Sequence, residues 1–505
     1  MRSPHRPRQA LPAQPQPSRD AWGRPQPGWL PASSESQQPK DWFAQADTAK
    51  VAAAAVMWAE NGWRDDQLAG WLAGELASRR GGLTSAAWWS LAGAARLAAE
   101  VEPDRRAVAW ASAAALLAQA LPGFQGATAA GDPPSVALAQ AVASGNAAAA
   151  GAAADQLAAQ QGNAEALAEL LRLACLFPGD AGCNAISAAA LAQLAPGLAA
   201  ADLRELLPAF AVALAEGPVL SPWVLAHRQR MAALAERLTA LADRRDPEKA
   251  RAFAEAKFRA HLLDAGAEGA LKALLRAAEV GIPHELLAGS LVMAAAERVL
   301  RADLRQAADP DSLEGPAETA GLLLLASATR QLQGQVPARD WLELALFTAS
   351  WVAGLATFDL PEAGRQPLPE PAALHQTWDH GPEIAKVIKH LQEGAPEPAI
   401  AVLRAYFLLA LPEQPLSVQM RQVAVALPGF SGLGRCLAAA LLHAGIDEFL
   451  ALAELPQRER ILAAAVRAAL AVPAPADPLL LAELALRRLQ LGGQPQSRIG
   501  AGPRP

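Results

Sequence analysis

Cysteine is almost missing from this chain: Cys175, Cys183 and Cys436 are the three among 505 residues. A sparse and odd set argues against a disulfide framework and fits a reducing compartment. Cys175 and Cys183 stand eight apart with no CxxC or CxH element, so the tight pairs of zinc and iron–sulfur sites are lacking. Tyrosine is reduced to Tyr406, aromatics make up 5% of the chain, and charged residues 19%, below the usual quarter. Runs of Val, Ile, Thr, Tyr and Phe with period-two alternation are missing, which speaks against a sheet. Arg2, Arg6 and Arg8 are followed by Pro and Gln where a secretory signal would carry an apolar core. The uncharged run 107–131 is broken by Pro122, Gly123, Gln125 and Gly126. Its apolar part is about 15 residues, short of the roughly 20 needed to span a bilayer. No transmembrane segment is therefore expected, and the cytoplasm is the expected location.

Signatures of several enzyme classes are missing too. There is no GxGxxG after a strand, no Walker A, no GxSxG and no kinase set, so a nucleotide cofactor has no motif to hold it. No basic block is interleaved with aromatics, and nucleic acid is not an expected partner. The net charge is -6; the first forty residues hold six Lys/Arg and two Asp/Glu (+4), leaving -10 on the remainder.

What the chain has is alanine and leucine, within a hydrophobic share of 52%. Alanine is the best helix former and a small side chain, so helices are expected to pack closely. Residues 1–40 are the exception: nine prolines with Gln, Ser and Arg predict a disordered arm in which Trp22 and Trp29 can act as docking anchors. From about Asp41 to Leu491 helical patterning is continuous. Asp246-Pro247 predicts a capped helix running to about Leu263, with Gly266 beyond its end. Asp202 with Glu205 reads as a capping box, Asn163 as a cap, and Ile282-Pro283 and Asp477-Pro478 as helix starts. Gly145, Gly266 and Gly394 each sit in a turn between helices, 121 and 128 residues apart. That layout suggests a duplicated module, although an alanine-rich composition could also produce it. The expected division is a Pro-rich arm (1–40), a Trp-rich helical segment (41–122), helical modules (134–360), a C-terminal helical module (372–491) and a disordered tail (492–505). The fold class is all-α, a multi-helix array of antiparallel hairpins, roughly twenty helices in all.

The stretch from Arg259 to about Leu355 contains AHLLDAGAEGALKALLRAAEVGIPHELLAGSLVMAAAERVLRAD. It resembles the all-helical domain that follows the [2Fe–2S] module in some bacterial Rieske-type proteins, which is similar to the questin oxidase-like family. The matching features are His261 before the Gly turn, the EGALKALLRAA helix and the helix end 294–303. The resemblance implies a helical fold and, more remotely, an oxidative activity. Two departures weaken the second implication. The paired Cys-x-His elements of a Rieske cluster are missing. The next helix, GPAETAGLLLLASATRQL, also lacks the histidine that the resemblance implies there.

Histidine is the side chain best suited to carry chemistry here, because it ligates metals and moves protons near neutral pH. The densest group is His375, Asp379, His380, Glu383 and His390. Glu383 and His390 are seven apart and share a helix face. Carboxylate and imidazoles at a helix start could bind a metal or an anion, or could simply be surface and capping residues. His261 and His390 precede their turn glycines by five and four residues, so a duplicated module could bring them to one pocket. His261, His375, His380, Glu383 and His390 are thus the candidate catalytic or metal-binding residues. Nine of thirteen tryptophans lie in the first 110 residues, Trp88-Trp89 among them. As buried anchors they would be core; if exposed, Trp88 and Trp89 would mark a protein partner surface with Trp22 and Trp29. Two functions stay open: a non-catalytic helical scaffold with a protein partner, or a diverged oxidoreductase-type helical domain with a His/Glu-lined pocket.

Overall fold

The computed structural model describes residues 51–471, apart from 78–83, 102–105, 115–133, 217–221, 305–315, 362–366, 374–379, 425–431 and a few isolated positions. The arm, the tail, His375, Trp22, Trp29 and Asp477-Pro478 lie outside the described residues. The first half comprises α1 (Asp65–Ala77), α2 (Thr84–Glu100), α3 (Pro134–Ser144), α4 (Ala147–Gln161), α5 (Asn163–Leu176), α6 (Cys183–Leu194), α7 (Ala200–Glu216) and α8 (Pro222–Leu241). After these come α9 (Pro247–Arg251), α10 (Glu255–Asp264), α11 (Gly266–Glu279), α12 (His284–Arg301), α13 (Pro316–Leu332) and α14 (Ala338–Gly354). The last are α15 (Gly381–Gln392), α16 (Pro396–Leu408), α17 (Glu413–Ala424), α18 (Gly432–Ala451) and α19 (Glu459–Ala471). The fold is all-α. Among the described residues the sole β-type pairing is an isolated bridge between Ala302 and Asp359. No helix among them is long and apolar enough to cross a membrane.

Consecutive helices pack as hairpins: α3 on α4, α10 on α11, α15 on α16 and α18 on α19. Gly145, Gly266 and Gly394 turn three of these hairpins, all with positive φ (71°, 69° and 66°), a backbone region that glycine enters without steric cost. The turns at Gly145 and Gly394 close alike: Asn146 N–H donates to Ala141 O at 2.8 Å and Ala395 N–H to His390 O at 2.9 Å. At Gly266 the closing bond instead runs from Ala265 N–H to His261 O, so the third turn shares the glycine but not the hydrogen bonding.

Side-chain capping explains some boundaries and corrects others. Asp246 accepts from the Glu248 and Lys249 N–H groups, and Pro247 occupies the first turn. The helix then stops at Arg251 instead of running to Leu263, and the break lets the Phe253 ring fold onto Phe258 at 5.3 Å. Asn163 does not cap α5; its Nδ2 donates across to Ala200 O at 2.8 Å. Asp202 lies within the first turn of α7 rather than at its cap. Pro283 does open α12.

The core is one continuous cluster spanning the Trp-rich, middle and C-terminal segments. Helix α18 packs against α2, α13, α17 and α19, while α12 packs against α13 and α19. Helices α12 and α14 are buried on nearly every side, as expected of helices apolar all round. Trp88 and Trp89 are each 1% exposed, so they are core anchors; their expected place on a partner surface is corrected. Trp88 meets Phe210 edge-on at 6.1 Å, and Trp58 stacks on Trp63 at 4.5 Å.

Arg298 on α12 is 0% exposed and ties together helix ends that would otherwise strand carbonyl groups. Its Nε donates to Val352 O at 2.9 Å near the end of α14. Its two Nη atoms reach Asp359 and Leu263 O, the latter at the end of α10. Replacing it leaves buried acceptors unmet, so Arg298→Met is expected to lower stability by about 3–5 kcal/mol. Urea denaturation with the slope monitored checks this; a shift of less than about 1 kcal/mol would contradict the role.

Candidate functional site

The histidines named from sequence stand apart. His261 is exposed on α10, where its Nδ1 lies 2.9 Å from Lys257 O. His380 is the half-buried residue before α15, with no side-chain capping bond. Glu383 is buried, and both its oxygens accept from Lys386 Nζ at 2.9 Å. His390 pairs instead with Glu393 at 3.4 Å. Glu383 and His390 therefore share a helix but not a partner. Helix α10 packs on α11, α12 and α14, whereas α15 packs on α16 and α17. Among the described residues, no group of three or more His, Cys, Asp or Glu is arranged to hold a metal ion.

The groups that do come together are ones that sequence spacing did not single out. Helix α18 carries His443, Asp447 and Glu448 inside the run LLHAGIDEFL, and their four- and five-residue spacing puts them on the side facing α2, α13 and α17. Asp447 is paired with Arg96 from α2 and lies 2.7 Å from Arg421 Nη2 on α17. Glu448 is paired with Arg330 from α13 and accepts from Ser327 Oγ at 2.5 Å. Arg96 Nη2 continues the chain to Gln193 Oε1 at 3.2 Å, Gln193 bonds Gln331, and Gln331 Nε2 donates to Ser327 Oγ at 3.1 Å. One polar seam thus crosses α2, α6, α13, α17 and α18.

At its centre His443 is 0% exposed and neither ring nitrogen has a hydrogen-bond partner. Its ring lies against the backbone of Gly93, so closely that a Cβ at Gly93 would overlap it. Burial, and then the charges of Arg421 and Arg96, hold the imidazole well below its usual pKa and keep it neutral. Burial pushes the Glu448 carboxyl up, against the pull of Arg330.

A second cluster joins α5, α8 and α14. Arg339 reaches Asp340 at 2.9 Å and Glu343 at 2.7 Å, and Arg172 lies 3.8 Å from Asp340. Burial raises both acids. Cys175 beside them is fully buried, and burial together with Asp340 and Glu343 pushes its thiol up, which disfavours the nucleophilic thiolate. His227 packs edge-on to Phe347 at 5.3 Å and is lowered by burial to about 4. His284 stacks on Trp341 at 4.5 Å with Arg245 Nη2 3.1 Å from its Nδ1; burial and then Arg245 lower it to about 4. An imidazole against an Arg fork accepts rather than donates, which fits its neutral form.

Against known proteins the comparisons are silent: no family model, no curated protein and no solved structure matches this chain.

Two expectations follow from the seam. Gly93→Ala is expected to cost about 1–3 kcal/mol by overpacking against His443, and a second change, His443→Ala, is expected to recover part of that loss. A double-mutant cycle by denaturant titration measures the coupling; strictly additive effects would contradict the contact. The second concerns pH. His227, His284 and His443 all bind protons less readily folded than unfolded. Their contribution to stability is therefore fully present above about pH 6.5 and is lost as pH falls from there towards 4. The raised carboxyls, Glu448 among them, act in the opposite sense, stabilising at low pH. Each buried histidine contributes a slope of up to about 1.4 kcal/mol per pH unit in its window. His443→Gln is expected to flatten the stability profile between pH 6.5 and 5 by about that amount, read from urea midpoints; an unchanged slope would show that His443 titrates alike in both states.

Proposed function

We propose that this protein is a non-catalytic helical scaffold that acts by binding another protein. The observation that supports this reading is the dispersal of its histidines. His227, His261, His284 and His390 each engage a separate local partner, and His443 is enclosed among paired charges. Catalysis by histidine needs the ring within hydrogen-bond reach of a reacting group, and fully enclosed rings offer none. Exposed large apolar side chains among the described residues are Val136 and Leu408, so the tryptophan anchors named from sequence reduce to Trp22 and Trp29 in the arm.

The competing reading is the diverged oxidoreductase-type domain of the Rieske-associated or questin oxidase-like kind. Its support is the sequence resemblance across α10 to α14, together with His380 and Glu383 at the start of α15. Metal analysis and a UV–visible spectrum on freshly purified protein separate the two. The scaffold reading expects no stoichiometric metal and tryptophan absorbance alone. A metal or cofactor band that disappears in His380→Ala and His390→Ala would overturn it.

A further inference from the structure

Between residues 367 and 373 the chain forms neither helix nor strand, yet it is held as a bound peptide is held. Three of its seven residues are prolines: Pro367, Pro369 and Pro371. Proline lacks an N–H, so such a segment presents carbonyls with no internal partner. Two arginines take them up. Arg467 on α19 donates from Nη2 to Pro367 O at 2.8 Å, and Arg404 on α16 donates to Pro369 O. Arg467 is itself fixed by a fork onto Glu397, at 2.7 and 2.8 Å. Farther along, Ala372 N–H donates to Ala401 O at 2.9 Å, and Leu368 and Ala372 pack on the core. Pro367 and Glu370 are exposed. The groove between α16 and α19 therefore reads carbonyls at positions one and three, an apolar side chain at position two and an N–H at position six. Positions one and four are free to vary.

The N-terminal arm contains two Leu-Pro pairs, Leu11-Pro12 and Leu30-Pro31. Placing Leu11 where Leu368 sits would bring Pro15 to the position of Ala372, and proline has no N–H to donate. Placing Leu30 there brings Ser34, which has one. Trp29 and Ala32 would then fall at positions one and four, where the strap is exposed. Seventeen positions separate Ser34 from Val51 (51 − 34), a reach of roughly 50 Å when extended. A folded chain of this length has an expected radius of gyration of about 23 Å, about half that reach, so a groove lying within the tether's span of Val51 is open to the arm.

We propose that the α16–α19 groove is a proline-rich peptide site with two alternative occupants from the same chain: the strap 367–373 and the arm segment Trp29–Ser34. The two exclude each other, because Arg404, Arg467 and Ala401 can serve one peptide at a time. Such an exchange is independent of the scaffold reading.

Both tethered occupants compete with any added peptide at effective concentrations of the order of mM, so the test must silence them. The receptor is the full chain carrying Leu368→Asp and Leu30→Asp, and the probe is a fluorescein-labelled peptide of residues 24–36. Fluorescence anisotropy is expected to show binding at least tenfold tighter than to the unaltered chain. It is also expected to be lost with a Leu30→Asp probe and weakened about tenfold by adding Arg404→Ala to the receptor. Equal binding to both receptors, or binding indifferent to Leu30, overturns the proposal. Should the double variant fail to fold, amide exchange at Ala372 gives an independent reading. Leu30→Asp alone is expected to slow that exchange severalfold by removing the competitor, and an unchanged rate overturns the proposal equally.

Discussion

Where α2 crosses α18, Gly93 lies beneath the His443 ring, and where α18 meets α19, Gly445 faces Ala465. Contacts of this kind set how near the helices come. Helices lined with alanine and glycine approach until backbones almost touch, and a core built that way has little slack for water. Any charge inside it must find its partner within the same few crossings. That constraint accounts for Arg298, 0% exposed and bonded in three directions, and for the seam that binds Asp447 and Glu448 to arginines from three other helices.

The same constraint shapes the chemistry. Buried imidazoles at His227, His284 and His443 are pushed towards the neutral form, and the Cys175 thiol away from the thiolate. These groups have perturbed protonation, which in a cleft would suggest an active site. In this fold they lie at helix crossings, where burial first, and then neighbouring charges such as Arg245 beside His284 and Arg421 and Arg96 beside His443, give the perturbation a structural cause. A close-packed interior and a set of shifted pKa values are thus two faces of one arrangement.

Fold class was legible in the sequence because helix propensity and punctuation act locally. Asp246-Pro247, Pro283 and the three turn glycines do what their chemistry dictates. Misreadings arose where a tertiary contact overrode the local signal. Asn163 reaches across to Ala200 instead of capping its own helix, and α9 stops at Arg251, where the break lets Phe253 fold onto Phe258. Little of the interior chemistry was legible. His375, His380 and His390 drew notice because they cluster along the chain, but clustering in sequence is a poor guide across helices. The seam around His443 draws on residues as far apart as Arg96 and Glu448, and the one local cue was three ionisable residues within an apolar run.

Hydrogen exchange followed helix by helix on the full chain is the most direct test of a core centred on α18. Amides of α2, α12, α13, α18 and α19 are expected to exchange slowest and together, in one cooperative unit, with α9 to α11 opening earlier. If α18 instead exchanges faster than α9 to α11, the polar seam is a weak point and not the fastening of the fold, and the structural role of its buried charges is contradicted.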